Sequence, residues 1–570
     1  MADEHRIQEE PDRKRKKGNL GRNEYLRQPD DKRVRIERGE EEKRQKIEQG
    51  EHIKPPIYST HFSKEDIENE QRRPKKKAAV LLGYSGAGYH GMQLSERFKT
   101  VEGELFPALV SAGAISKANA ADPKKSSLVR CARTDKGVHA AGNVVSLKLM
   151  VDDPDLVKKV NENLSPQIRI WSIQVTNKSF SCYLMCDSRV YEYLIPSHCL
   201  LPPHPTSYIG RKIQKSAEKE GDLDGYNSRQ EEVAGFWEDV NEKHIKPILE
   251  SIPEDIRDIV EKAFIDDDEP SDPDSKEEEQ QTEPAAEGEE NETKDDEEAK
   301  QPLWPRSVIR EHPRKDEIVQ AMKTINAAYR EAKRSYRAPA SRLERLQAAL
   351  DKYVGTKNYY NYTIQKRHND PSAKRHIKSF NLNPTPIMIN GTEWLSLKVH
   401  GQSFMMHQIR KMVAMAVQVV RCGCVPERIT ESFGPTRIGI PKAPGLGLLL
   451  ERPVFDVFNR SAEKLGKEEI DFGKYDDQIA EFKQREIYSR IFSEEEEHHT
   501  FFNFFGHIDS FPQEAFMYVT SSGIPAARLP PHRKPGTGKR GQKSERDPLA
   551  EVEVESEDEG DIPDNGEEGG

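Results

Sequence analysis

The chain has 570 residues, enough for two or three domains, yet only 34% are hydrophobic and 33% are charged, so the packed core must be confined to part of it. A net charge of −11 hides an asymmetry: segments 266–300 and 545–570 carry −15 and −11, leaving +15 on the rest, which suits a polyanionic partner. Six cysteines with no Cys-x-x-Cys pair exclude a disulfide framework and a readable zinc ribbon and favour a reducing compartment. No apolar run approaches the ~18 residues needed to span a bilayer.

Residues 1–75 are polar and contain no apolar stretch of signal-peptide type, and Asp3, Glu4, Glu9 and Glu10 argue against a mitochondrial presequence. The clusters Arg13-Lys14-Arg15-Lys16-Lys17 and Arg72-Arg73-Pro74-Lys75-Lys76-Lys77 read as nuclear-import or nucleic-acid patches. The segment is expected to be a disordered basic arm, and the protein nuclear. Over 76–200 a first lobe is expected. It opens with a buried strand at 79–84, stopped by Ser85-Gly86-Ala87-Gly88. A helix capped by Thr100 follows, with Val101, Leu105, Leu109 and Val110 on one face. Alternating strands are expected at 143–149, 168–175 and 188–195, with a short helix ending at 163–166.

Segment 201–305 reads as an insertion: a helical stretch over 231–264, interrupted at Pro247 and Pro253, and then the acidic tract, expected to be disordered. A second lobe over 306–456 begins with an amphipathic stretch at 315–353. Strands near Ser379 and at 394–400, a strong helix at 405–421 and a short strand at 445–450 complete it. A helical extension, 457–528, includes a helix at 474–492 and the cluster Phe501, Phe502, Phe504, Phe505, which reads as packing before RNA stacking. The tail 529–570 is expected to be disordered. The basic stretch from His532 to Lys543 reads as an RNA-backbone contact, a second import signal or a linker. Strands and helices in both halves imply an α+β fold, two lobes sharing one sheet.

Two motifs bear on chemistry. Gly86-Ala87-Gly88-Tyr89-His90-Gly91 formally matches a dinucleotide loop, but such a loop must feed straight into a helix, and the continuation His90-Gly91-Met92-Gln93-Leu94 has no helical apolar face. Arg133-Thr134-Asp135-Lys136-Gly137 sets one carboxylate between two cations in a turn. Flanking positive charge is expected to depress the carboxyl pKa and keep a nucleophile ionised. Taken alone, Asp in such a turn is more often a backbone cap.

Five motifs in order then resemble the TruA-type tRNA pseudouridine synthase family. They are Tyr84-Ser85-Gly86-Ala87-Gly88-Tyr89-His90-Gly91-Met92-Gln93, the run Arg133 to Ala140, Arg189-Val190-Tyr191-Glu192-Tyr193, the run Gly401 to Val413, and Ala443-Pro444-Gly445-Leu446. The resemblance covers roughly 78–200 and 340–456 and is nearest the eukaryotic branch. It implies a pseudouridine synthase fold with a mixed, largely antiparallel sheet. By resemblance Asp135 is the nucleophile or base, Tyr191 the platform for the flipped base and Arg410 the ion-pair partner of Asp135. Arg133, Lys136, His139, Tyr89, His90, Arg189 and His407 are read as RNA-contacting. The implied partner is tRNA at its anticodon stem-loop, with small nuclear RNA and mRNA beyond it. No cofactor is required by an isomerisation. Zinc enters only through the resemblance, without a readable ligand set, and a monomer is expected because the insertions would obstruct a dimer surface.

Overall fold

The computed structural model describes residues 56–264, 312–364, 366–511 and 514–527. The first basic cluster, the acidic tract and the tail 529–570 lie outside the described residues. One sheet organises the rest, in the order β4-β1-β3-β10-β5-β9-β7-β6, with β2 beside β3 and β8 beside β9. In chain order these are β1 Lys76–Tyr84, β2 Val129–Arg130, β3 His139–Leu149, β4 Ile168–Val175, β5 Ser188–Pro196, β6 Gly355–Asn358, β7 Lys374–Leu382, β8 Ile387–Ile389, β9 Thr392–Gly401 and β10 Leu448–Val454. Every pairing is antiparallel except β3 with β10, where Leu449 opposes His139 and Leu450 opposes Ala140. The expected α+β architecture with a mixed, largely antiparallel sheet is therefore met.

β1 is buried at every position from Ala78 to Tyr84. It pairs on both sides, with β3 and β4, and has apolar residues on both faces, as a strand covered by two layers must. One face packs on Leu105, Phe106, Leu109, Leu156 and Val160, from helices Val101–Ser111 and Leu156–Glu162. Thr100 caps the first of these by accepting from Gly103 N at 3.1 Å, as its sequence position implies. The other core is built on helix Gln408–Arg421, all of whose residues are buried. β5 belongs to the first half of the sequence but lies between β10 and β9 in the second half of the sheet, so the lobes interlock.

Several expectations need correction. Order begins before residue 76: a helix spans Lys64–Glu68, and the second basic cluster is largely engaged by the fold. Arg73 pairs with Asp152 at 3.2 Å, Lys75 donates to Ser116 Oγ at 2.7 Å and Lys77 to the Ser127 carbonyl at 3.3 Å. The stretch 315–353 is two helices, Lys315–Arg334 and Ala340–Asp351, because Pro339 disfavours helical backbone at the residue before it. Helix Tyr208–Glu220, capped by Ser207 and ended by left-handed Gly221, is not foreshadowed by the sequence pattern. Pro247 does not break its helix: the chain stays helical from Phe236 to Ser251, and a π-helical turn at Asn241–Ile245 directly ahead of the proline accommodates it.

The C-terminal extension packs on the sheet. Lys483, in a π-helical turn, donates to Glu192 of β5 at 2.8 Å and Glu451 of β10 at 2.7 Å. Phe501 and Phe505 are buried, in keeping with a packing role. All six cysteines are free and buried. Among the described residues no helix is long and apolar enough to cross a membrane.

Candidate active site

Residues 131–138 join β2 to β3, and local chemistry fixes their shape. Asn143, fully buried on β3, accepts from Ala132 N at 3.3 Å and donates to the Ala132 carbonyl at 3.0 Å, acting as a side-chain substitute for a strand partner. Thr134 Oγ1 lies 2.8 Å from the buried Tyr84 hydroxyl. Gly137, at φ 77°, turns the chain so that Val138 N donates to the Asp135 carbonyl at 3.1 Å.

The glycine run 86–91 closes on this turn from the other side. Met92 N donates to the Thr134 carbonyl at 3.1 Å and Gly137 N to the Tyr89 carbonyl at 3.2 Å. Gly91 has φ 77°, and a Cβ there would lie 2.6 Å from the Thr134 carbonyl oxygen. The glycine allows one backbone to lie directly on another. The next helix starts only at Val101, so the geometry of a dinucleotide loop is not built. The run is a cradle for the Asp135 turn.

Asp135 is exposed at the tip of the turn, yet protein closely surrounds its carboxyl group. That burial is the stronger influence and raises its carboxyl pKa, while Arg410 and Lys442 oppose it. The expected depression by Arg133 and Lys136 is corrected here. Both are exposed, and the cations acting on the carboxylate come from the far half of the chain. Arg410 lies in the first turn of Gln408–Arg421 and donates from Nε to the Ala443 carbonyl at 2.6 Å. Tyr193 Oη donates to the Pro444 carbonyl at 2.7 Å, anchoring the segment that bears Lys442. Lys442 is 5% exposed and is not singled out by the sequence; its only signal is its place one residue before Ala443-Pro444-Gly445-Leu446.

Tyr191 stands on β5 opposite Leu450 and Val399, touching both cores. Phe404 meets its ring edge-on at 5.2 Å. Burial pushes its phenol up to about 12, so it is uncharged and suited to stacking. His407 has left-handed backbone at φ 61°, and neither ring nitrogen has a hydrogen-bond partner among the described residues. Burial first, then Lys442 and Arg410, lower its pKa to about 3, so it faces the site as a neutral imidazole.

Three residues read as RNA-contacting are buried and hydrogen-bonded within the fold. Tyr89 is 1% exposed, with its hydroxyl donating to Glu104 at 2.6 Å. His139, 2% exposed, accepts from Gly86 N at 3.1 Å, and burial holds its pKa at about 4. Arg189, 6% exposed, donates to the Cys131 carbonyl at 2.9 Å, just ahead of the Asp135 turn. Motif matching cannot separate support from contact, because one geometry needs both. His90 is half-buried, stacked on Phe98 with ring centroids 4.5 Å apart.

One carboxylate opposed by two cations, beside an uncharged aromatic wall and gathered from both halves of a single mixed sheet, fits the pseudouridine synthase class. Residues 349–456 match the family model described as tRNA pseudouridine synthase. The chain is 41% identical over 463 residues to tRNA pseudouridine synthase 1 of Yarrowia lipolytica, covering 80% of this chain and 79% of that one. It is 38% identical over 508 residues to tRNA pseudouridine synthase 1 of Schizosaccharomyces pombe, covering 82% and 90%. With the tRNA pseudouridine(27/28) synthase of Saccharomyces cerevisiae it shares 34% over 431 residues, covering 75% and 97%. The chain belongs to the tRNA pseudouridine synthase family.

Proposed function

We propose that this chain isomerises uridine to pseudouridine in tRNA, with Asp135 as the reacting carboxylate. The observation that carries the reading is the convergence of Arg410 and Lys442 on Asp135, beside Tyr191, from segments far apart in sequence. The reaction breaks the N-glycosidic bond of uridine, turns the base and rejoins it to the ribose through carbon. Atoms and electrons are conserved, so no oxidant or group donor is required. One ionised group beside the anomeric carbon and the uracil ring suffices. Attack on the ribose, attack on uracil and abstraction of a ribose proton all call on the same carboxylate.

Extruding the base costs a few kcal/mol, roughly, and stacking on an aromatic ring recovers about 1–3 kcal/mol. Tyr191 supplies that ring, with Phe404 fixing its tilt. Arg410 and Lys442 offset part of the rise that burial imposes on the Asp135 carboxyl. Exposed Arg133 and Lys136 meet the RNA backbone, as do His90 and His407 at the rim. The reading extends to anticodon stem-loop uridines, to small nuclear RNA and mRNA, and to a nuclear monomer. The first basic cluster, Arg13 to Lys17, supports the nucleus, and the helices inserted after 201 support the monomer. Zinc finds no group of three or more His, Cys, Asp or Glu side chains suited to it among the described residues, and no step is routed through it.

The test is direct. Purified protein in chelator-treated buffer should form pseudouridine on an unmodified tRNA transcript, and Asp135→Ala should form none while still binding the RNA. Modification by Asp135→Ala would overturn the assignment.

A further inference from the structure

We propose that the β6–β7 hairpin is a docking track for the phosphodiester backbone of the RNA segment flanking the target uridine. This rests on the reading above of RNA as substrate and adds where the RNA lies beyond the reacting site.

Between residues 355 and 378 the chain carries six Lys or Arg (Lys357, Lys366, Arg367, Lys374, Arg375, Lys378) against one acid, Asp370. That acid is already committed, pairing with Lys366 at 3.2 Å and accepting from Ser372 N at 2.8 Å. Arg367, Lys374 and Lys378 are exposed. Lys357 sits directly opposite Arg375 across the strand pair, and facing like charges destabilise a sheet. β6 ends the sheet, and a lysine on an edge strand can serve merely to deter edge pairing. That purpose accounts for one cation, and it does not account for a facing pair with four more in the connecting loop and the following strand. Arg375 is half-buried, its guanidinium donating to the Lys374 carbonyl at 3.1 Å and to the Ser372 carbonyl, so it stiffens the loop that presents the exposed cations.

The track is continuous with the site. Thr363 Oγ1 donates to the Met406 carbonyl at 3.0 Å, joining the loop to the turn that carries His407 and leads to Arg410. Met406 is 49% exposed there. Tyr191 on β5 opposes Val399 on β9, which opposes Phe380 on β7, and β6 is one strand further on. Lys357 on β6 opposes Arg375, five residues back along β7 from Phe380, so three strand spacings of about 4.8 Å and that offset at about 3.3 Å per residue set the track roughly 20 Å from the aromatic wall, about six nucleotide rises along a helical strand at 3.4 Å each. The loop is pinned at its base, with Asn358 Nδ2 donating to the His368 carbonyl at 2.8 Å, so its cations are presented on a fixed frame.

The experiment measures binding of a full tRNA transcript by the full chain across a salt series, together with single-turnover pseudouridine formation. Arg367→Ala/Lys374→Ala should lower the slope of log K against log salt by about 1.5, from two lost phosphate contacts at roughly 0.7–0.9 each, and should raise KM. Lys243→Ala/Lys246→Ala removes the same charge from the helical insertion, where the two lysines pair with Asp239 and Glu242, and should leave the slope unchanged. An unchanged slope in the first variant, or an equal fall in the second, overturns the track. If the first slope falls but the wild type forms no pseudouridine, the track stands and the proposed reaction fails. If Asp135-dependent modification proceeds with an unchanged slope, the reverse holds.

Discussion

Replacing Gly91 with alanine perturbs the Asp135 turn without altering any charge. At φ 77° an alanine pays for left-handed backbone with roughly 1–2 kcal/mol. Its Cβ would also stand 2.6 Å from the Thr134 carbonyl oxygen and 3.3 Å from the Asp135 carbonyl carbon. Both neighbours are backbone, so no side chain can swing aside. Reaching ordinary contact near 3.5 Å requires the Thr134–Asp135 peptide to retreat by roughly 0.9 Å, against the Met92 N hydrogen bond to the same carbonyl at 3.1 Å. A displacement of that size at a reacting group costs on the order of 100-fold in rate. Gly88→Ala is the control, since Gly88 has φ 79° but nothing within 4 Å of the position its new methyl would take. Both variants should lose stability by denaturant midpoint, and only Gly91→Ala should lose single-turnover rate at saturating tRNA. Equal rate losses, or a wild-type rate in Gly91→Ala, would refute the cradle.

Three further outcomes follow from buried charge. Glu192 is 2% exposed and accepts from Lys483, from Tyr488 at 2.7 Å and from Ser396 at 2.5 Å. Lys483→Met should therefore destabilise by about 3–5 kcal/mol, with Glu192→Gln/Lys483→Met recovering most of it in chemical denaturation; a double variant no better than the single one would contradict the pairing. Burial raises the Glu495 carboxyl from 4.5 to about 7, although its oxygens accept from Phe501 N. The native state thus holds this proton more tightly than the unfolded chain. Its contribution is present below pH 4.5 and is lost as pH rises through 7, on the order of 3 kcal/mol in all. Glu495→Gln should flatten the stability profile across that window, and an unaltered profile would sink the linkage. Lys442→Met removes one of the two cations opposing the raised Asp135 pKa, so the acid limb of kcat/KM should move to higher pH; an unmoved limb with a simple loss of rate would show Lys442 acting otherwise.

Much of the fold was legible because its signals are local. Thr100 capping, the apolar run of β1 and the buried helix carrying Arg410 each follow from short-range pattern. The parallel seam between Leu449–Leu450 and His139–Ala140 was not legible, since register between distant strands leaves no local mark. The place of β5 among strands of the second half was hidden for the same reason. Within the site, Asp135, Tyr191 and Arg410 were readable as motif residues. Lys442 was not, because a lysine beside a proline turn looks like any solvated surface charge until tertiary packing buries it. The glycine run stands out as a motif, but its partner is the Thr134 carbonyl more than forty residues away, and no pattern within the run names that partner.

The most direct measurement uses Asp135→Asn, which keeps the size and hydrogen-bonding reach of the side chain and removes only its charge. Single-turnover pseudouridine formation on a tRNA transcript and the Kd for the same RNA are measured side by side. With Asp135 as the reacting carboxylate, the rate should fall by at least about 1,000-fold, with Kd within a few-fold of wild type. A residual rate within tenfold of wild type would contradict that role and move the chemistry to another group.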